Sequence, residues 1–278
     1  MSKTEDKYPP ESGRRRFVKG VVGGAALAGV GAGGSVAINS ATTSPGRGGG
    51  STQAMAIENI AGPAPRGMPQ IPLEIDSEGY LKGVWPDVTT ETQNGIEIEI
   101  AEMDLGGMTY SSEWFQYCGV EAYQGIQPSY ESDNYFRSDS GKYEWQTSTY
   151  ESGDRLHVDD FSDYTEWGNG IGDDGLGKPA TGTWRSQDSS DTIPIQVIRS
   201  PIIEEAAQEN EWLGASTSEG FIAWLNKCTH FCCVPGYKIA ADAAKFNAED
   251  DVYCQCHQSV YDPFNIVPTL FTARPRPD

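Results

Sequence analysis

The 278-residue chain reads as a mainly β protein, and three stretches carry that expectation. "GIEIEIAEMDL" (95–105) alternates Ile96, Ile98 and Ile100 with Glu97 and Glu99, the two-residue period of a strand with one face in a core and the other in water. "TIPIQVI" (192–198) is a second strand, placed at a sheet edge by Pro194, which has no N–H to give to a ladder. "FIAWL" (221–225) is a third and runs straight into Cys228. A single helix signal stands beside them: Ser200 and Pro201 open "SPIIEEAAQENEW" (200–212), with acids in the first turns.

Ahead of these elements lies an address. "SGRRRFVK" (12–19) is followed by "GVVGGAALAGVGAGGSVAINSA", uncharged until Arg47, which is the pattern of an export signal or a membrane span. Arg14 and Arg15 followed by Phe17 and Lys19 resemble a twin-arginine signal, the route for proteins exported already folded and often already carrying a cofactor. "SVA" (35–37) and "NSA" (39–41) fit a cleavage site, so residues 1–41 are either a removable signal or a retained anchor. Residues 1–19 carry a net +3 and the remainder −23, which orients the chain with its basic end in the cytoplasm. The expected location is the cell membrane, with the soluble domain on the extracytoplasmic side.

Residues 42–70, rich in Gly, Pro, Ser and Thr, read as a flexible linker, and the folded domain is expected over 71–278. Between about 110 and 190 the chain is dominated by Tyr, Ser, Asp, Gly and Trp in short broken runs. This acidic, aromatic-rich insertion reads either as a β-rich element or as a long surface excursion.

Charge excludes one class of partner. With 40 Asp and Glu against 20 Lys and Arg, the net charge of −20 repels nucleic acid. Aromatics at 10% are too many for a disordered acidic tail, so the acidity coats a folded body. A carboxylate-rich, lysine-poor surface suits a halophilic protein, because concentrated salt screens the self-repulsion.

Six cysteines are too few to scaffold a chain of this length, so the group at 228–256 reads as a site. "CTHFCCVPGY" (228–237) offers Cys228-x-His230, and "YCQCHQSVYDPF" (253–264) offers Cys254-x-x-His257. Two thiolates and two imidazoles on two loops suit tetrahedral zinc or a 2Fe-2S cluster in which histidines hold one iron. Three features favour iron and sulfur. Spare cysteines, Cys233 and Cys256, are available to tie the loops together, a clamp that zinc does not need. Ser259 and Tyr261 stand close enough to aim hydroxyls at a sulfur, which would stabilise a reduced cluster. The export route suits a metal centre inserted before transport.

"CTHFCCVP" with "CQCHQSVYD" resembles the two boxes of Rieske iron–sulfur proteins, specifically the high-potential subunit of quinol-oxidising cytochrome bc complexes. The resemblance implies an antiparallel β domain with a small cluster-binding part at 226–264. It implies that Cys228 and Cys254 hold one iron of a 2Fe-2S cluster, that His230 and His257 hold the other, and that Cys233 and Cys256 form a disulfide. It places His230 and His257 at the tip as the catalytic pair, meeting quinol in a cytochrome b-type membrane subunit and passing electrons to a cytochrome or small copper protein. The chain would then be a redox subunit of a quinol:acceptor oxidoreductase. A small Rieske subunit of an arsenite-oxidase-like molybdenum enzyme is the alternative, and a structural zinc module is the third reading.

The pattern departs from the family at Phe231-Cys232, where Leu-Gly is usual, and at Gln255 and Gln258, where Pro and Gly are usual. Loss of that glycine demands a non-glycine backbone conformation near the cluster, or a shifted loop. The proline-rich loop that covers the cluster is echoed only by "IVPTLFTARPRPD". For Cys232 three states are open: replacing Cys233 in the disulfide, pairing with Cys118, or remaining free along with Cys118 as small buried apolar residues. The last is the expectation. His157, alone in an acidic loop, reads as a surface residue.

Overall fold

The computed structural model describes residues 49–277 apart from Asn94 and Ser140; the expected export signal and residues 42–48 lie outside the described residues. The strands are β1 (Gly50–Ala61), β2 (Met68–Ile71), β3 (Leu73–Ile75), β4 (Leu81–Gly83), β5 (Val88–Gln93), β6 (Ile96–Leu105) and β7 (Met108–Ser111). They continue with β8 (Arg137–Ser138), β9 (Lys178–Trp184), β10 (Ile193–Arg199), β11 (Phe221–Leu225), β12 (Gly236–Tyr237), β13 (Val252–Cys254) and β14 (Ser259–Ala273). Among the described residues three short helices, α1 (Glu144–Thr149), α2 (Pro201–Ala206) and α3 (Glu211–Ser216), accompany the strands with several 3-10 turns.

Nine strands form one sheet in the order β12-β13-β14-β1-β2-β11-β10-β9-β8, and its neighbouring strands pair antiparallel. β3 and β4 form a small ribbon, and β5-β6-β7 a three-stranded sheet. In β6 the alternation holds as expected, with Ile98 and Ile100 buried and Glu97 and Glu99 exposed. The longest pairing joins β1 to β14, running from Gly50↔Ala273 to Ala61↔Val260 with register shifts at Ile57/Glu58 and Asn59/Ala61. Such bulges bend a ribbon and sharpen its twist. Past them, the first residues of β14 also pair with β13.

All five residues of β11 are buried because the sheet is covered on both faces. Phe221, Ala223 and Leu225 enter the large aromatic core, while Ile222 and Trp224 enter a second core that contains Cys228 and Cys254. At roughly 25 cal/mol per Å² of apolar surface, a strand buried on both sides is a strong determinant of where its C-terminal end, and therefore Cys228, sits.

Four expectations are corrected here. Residues 50–61 and 68–71 are not linker but inner strands of the main sheet, with Ala54, Ala56, Ile57 and Met68 at 0% exposure; small side chains let the strands pack without an alternating pattern in the sequence. The folded domain accordingly begins near residue 50 rather than 71. Pro194 is not on an edge strand, since β10 lies between β9 and β11. Its carbonyl accepts Asn226 N–H at 2.8 Å, so its nitrogen faces beyond Leu225, the last residue of β11 in that ladder, where no bond is lost. The helix at 200–212 is two helices. Ser200 caps α2 through Ile202 N–H, and Asn210 caps α3 through Leu213 N–H, so the chain restarts where a single helix was expected.

The 110–190 region is a layer of the body rather than a surface excursion. Trp114, Phe115, Phe136, Phe161 and Trp184 are fully buried or nearly so in the large core, and β8 and β9 extend the main sheet. Among the described residues no helix is long and apolar enough to cross a membrane.

Candidate metal centre

Each half of the cysteine–histidine set sits on a loop that its own backbone closes. Beyond β11, Asn226 donates from Nδ2 to Pro235 O at 3.0 Å and fastens the two ends of the first loop. Within it, Cys228 N–H donates to Cys233 O at 2.8 Å and Cys232 N–H to Cys228 O at 2.9 Å. The second loop is the β13–β14 connection, closed by the Cys254↔Ser259 pair and by Gln258 N–H to Cys254 O at 2.8 Å. Gln258 has φ +61° and Cys232 φ +64°, so both carry a side chain in the left-handed region that glycine usually occupies.

A third segment, Gly62–Gly67, lies against both loops. Ala64 N–H donates to Ser259 Oγ at 3.2 Å, and Thr229 Oγ1 donates to Arg66 O at 2.6 Å. Gly62, at φ +83°, runs so close to the second loop that a Cβ there would meet Gln258 O at 2.3 Å. The proline-bearing cover of the site is therefore "GPAPRG", on the β1–β2 connection. "IVPTLFTA" is instead strand β14.

Cys228 and Cys254 are free and 1% exposed, and their side chains hydrogen-bond to each other. Donors converge on both sulfurs. Cys228 Sγ accepts the Tyr261 hydroxyl at 3.1 Å and is also bonded by Ser259 and by His230 N–H. Cys254 takes backbone N–H bonds from Cys256 and His257. The Cys254 thiol, and then Tyr261, Ser259 and His230 N–H, hold the Cys228 thiol well below its ordinary value against the burial that opposes them. The same hydrogen bond to Cys228, reinforced by burial, pushes Cys254 up. A pair that resists losing both protons is expected where two thiolates would lie side by side in a buried site, and a cation between them removes that conflict.

The two imidazoles meet each other, His230 and His257 with ring centroids 4.8 Å apart at 87°. His257 is exposed and His230 half-buried, yet His230 Nδ1 is buried without a hydrogen-bond partner. Buried ring nitrogens are ordinarily satisfied, so an orphan on the loop that also carries Cys228 fits a metal ligand. Phe231, 66% exposed, stacks its edge near both rings at 4.3 and 5.1 Å.

Cys233 and Cys256 form a disulfide between the loops. Their sulfurs lie within 4.8 Å of that of Cys254, but bonded to each other they form a wall beside Cys254 rather than further ligands. Cys118 and Cys232 are not free as expected; they form a second disulfide that ties the first loop to the aromatic body. Nothing in the spacing of residues 114 positions apart reveals that bond, since pairing is decided by the fold. The cover segment had a readable sign, two prolines between glycines, which the reading as linker absorbed. His157 sits elsewhere, with Nε2 2.8 Å from Glu78 O.

Comparison of the chain with protein-family models, curated proteins and solved structures returned no match.

Proposed function

We propose that Cys228, His230, Cys254 and His257 hold a Rieske-type 2Fe-2S cluster and that the protein is the electron-transfer subunit of a quinol-oxidising cytochrome bc-type complex. The observation that carries the proposal is the asymmetry of the donor set: two buried thiols backed by hydroxyl and amide donors, on the same two loops as two imidazoles that are more exposed and 4.8 Å apart. A zinc–thiolate site also accepts such bonds, but a redox centre gains a further effect from them, because they favour its more negative state.

When bound, the cluster supplies a one-electron acceptor at the tip. The surrounding residues do the rest. Ser259, Tyr261 and the loop amides hold the thiolates and disperse their charge. Gly62–Gly67 excludes water from the buried side. His257, exposed, offers the imidazole best placed to meet a quinol hydroxyl and take its proton, with Phe231 as an apolar contact for the ring. A cytochrome b-type subunit would present the quinol, and a cytochrome or small copper protein would take the electron.

Low-temperature electron paramagnetic resonance on membranes reduced with ascorbate tests this. A rhombic signal that shifts with quinone-site inhibitors is expected. Silence even with dithionite, with zinc in the protein, overturns it.

A further inference from the structure

We infer that the Cys118–Cys232 disulfide is a positioning device that fixes the loop carrying His230 to the aromatic body, independently of the disulfide that joins the two ligand loops. The value of that loop as a ligand rests on the proposed cluster; the bond and the rigidity it confers do not.

Cys232 and Cys233 are adjacent but bonded in opposite directions, to Cys118 across 114 residues and to Cys256 across 23. The Cys233–Cys256 bond joins one ligand loop to the other and makes no covalent link to the body. The Cys118–Cys232 bond makes that covalent link, from the outer end of the first loop to the large core. Its anchor is firm: Tyr117 is 2% exposed and packs edge-on against Phe271 at 5.2 Å.

The same anchor grips the approach to the first ligand. The Tyr117 hydroxyl donates to Lys227 O at 2.8 Å, and Cys118 Sγ lies 3.6 Å from Cys228 O. Tyr117 thus holds the Lys227 carbonyl, and the disulfide of its neighbour Cys118 closes the grip at Cys232, five residues further on.

Backbone conformation gives the independent argument. Cys118 has φ +55° and Cys232 φ +64°. A non-glycine residue in that region is disfavoured by the clash of its Cβ with the backbone and persists only where its surroundings impose it. Between Cys228 and Cys232 lie Thr229, His230 and the exposed Phe231, with one internal backbone bond, Cys232 N–H to Cys228 O. Without the covalent link little would keep Cys232 left-handed, and the direction in which His230 leaves the loop would vary with it.

Peptide mapping of the unreduced full-length chain comes first and needs no variant. A Cys118–Cys232 linked peptide, and only two alkylatable thiols in the unfolded, unreduced, metal-free protein, are expected; four thiols overturn the inference. The Cys118→Ser/Cys232→Ser variant is then compared with wild type by amide hydrogen exchange. Exchange at residues 229–231 is expected to rise by about tenfold or more while residues 222–224 in β11 keep their protection. Iron should be retained, with a broadened resonance signal from a less uniform histidine geometry. Uniform acceleration of both segments, or none, reduces the bond to a general staple and overturns the positioning role. Should that variant fail to fold, Cys233→Ser/Cys256→Ser decides: residues 229–231 should stay slow with the body link intact, and fast exchange there overturns the inference. A protein with both disulfides and a protected loop that binds no iron would sink the cluster proposal and leave this one standing.

Discussion

The cysteine–histidine tip and the aromatic body lie on the two faces of one sheet but hold their shapes by different means. The tip has short strands, two disulfides and hydrogen bonds aimed at sulfur. The body has a continuous core in which Trp184 meets Trp85, Phe115 and Phe136 at 5.5 to 6.4 Å. The proposed function needs the tip to present its histidines, which apolar burial cannot secure, and covalent links hold that end instead. The body faces no such demand and relies on area.

The comparison is broken most sharply at its two extremes. His257→Ala removes an exposed imidazole, so the far-ultraviolet circular dichroism should stay native while bound iron is lost completely. Iron retained at wild-type stoichiometry would remove His257 from the ligand set. Trp184→Ala acts the other way. The side chain is 1% exposed, and its removal should cost about 3–5 kcal/mol in denaturant unfolding. A loss below about 1 kcal/mol would mean the aromatic layer is not the core of the body.

Legibility in the sequence divides along the same line. Cys228, His230, Cys254 and His257 stood out in the sequence because scarce residue types recur there at close spacing, and in the structure the two thiols lie together and the two imidazoles lie together. β11 was readable because both its faces are apolar. β1 was not: in "GSTQAMAIENIA" the buried residues are mostly Ala and Met, and the strand exists because β14 and β2 flank it. The body was illegible for a related reason. Its aromatic side chains hang from 3-10 turns and irregular segments such as Ser112–Phe115 and Val158–Phe161, whose burial follows from the fold and leaves no period in the chain.

The body also carries a weakness that the tip lacks. Burial, and then the neighbouring Glu102, push the Glu113 carboxyl up to about 7. The folded protein therefore keeps a proton that the unfolded chain loses from about pH 4.5 upward. Stability should fall as pH rises from that value to about 7 and level off above it. Glu113→Gln removes the burden, so unfolding midpoints should show a gain of about 2 kcal/mol at pH 8 and almost none at pH 4. An equal gain at both pH values would mean that packing rather than charge is responsible.

The smallest effect is the most specific to the tip. Tyr261→Phe keeps a fully buried ring in place but deletes the hydroxyl that donates to Cys228 Sγ at 3.1 Å and accepts Thr229 N–H at 3.3 Å. Because the ring still fills its volume, fold stability should change by only about 1 kcal/mol, the net value of a hydrogen bond. The reduction potential should nonetheless fall, since the lost donor stabilised the state with more negative charge on sulfur. A potentiometric titration followed by electron paramagnetic resonance separates the two quantities. A lower potential at near-constant stability locates the tuning in the donor set of the tip. An unchanged potential with a larger stability loss would make Tyr261 a packing residue, and the tip would then differ from the body only in its disulfides.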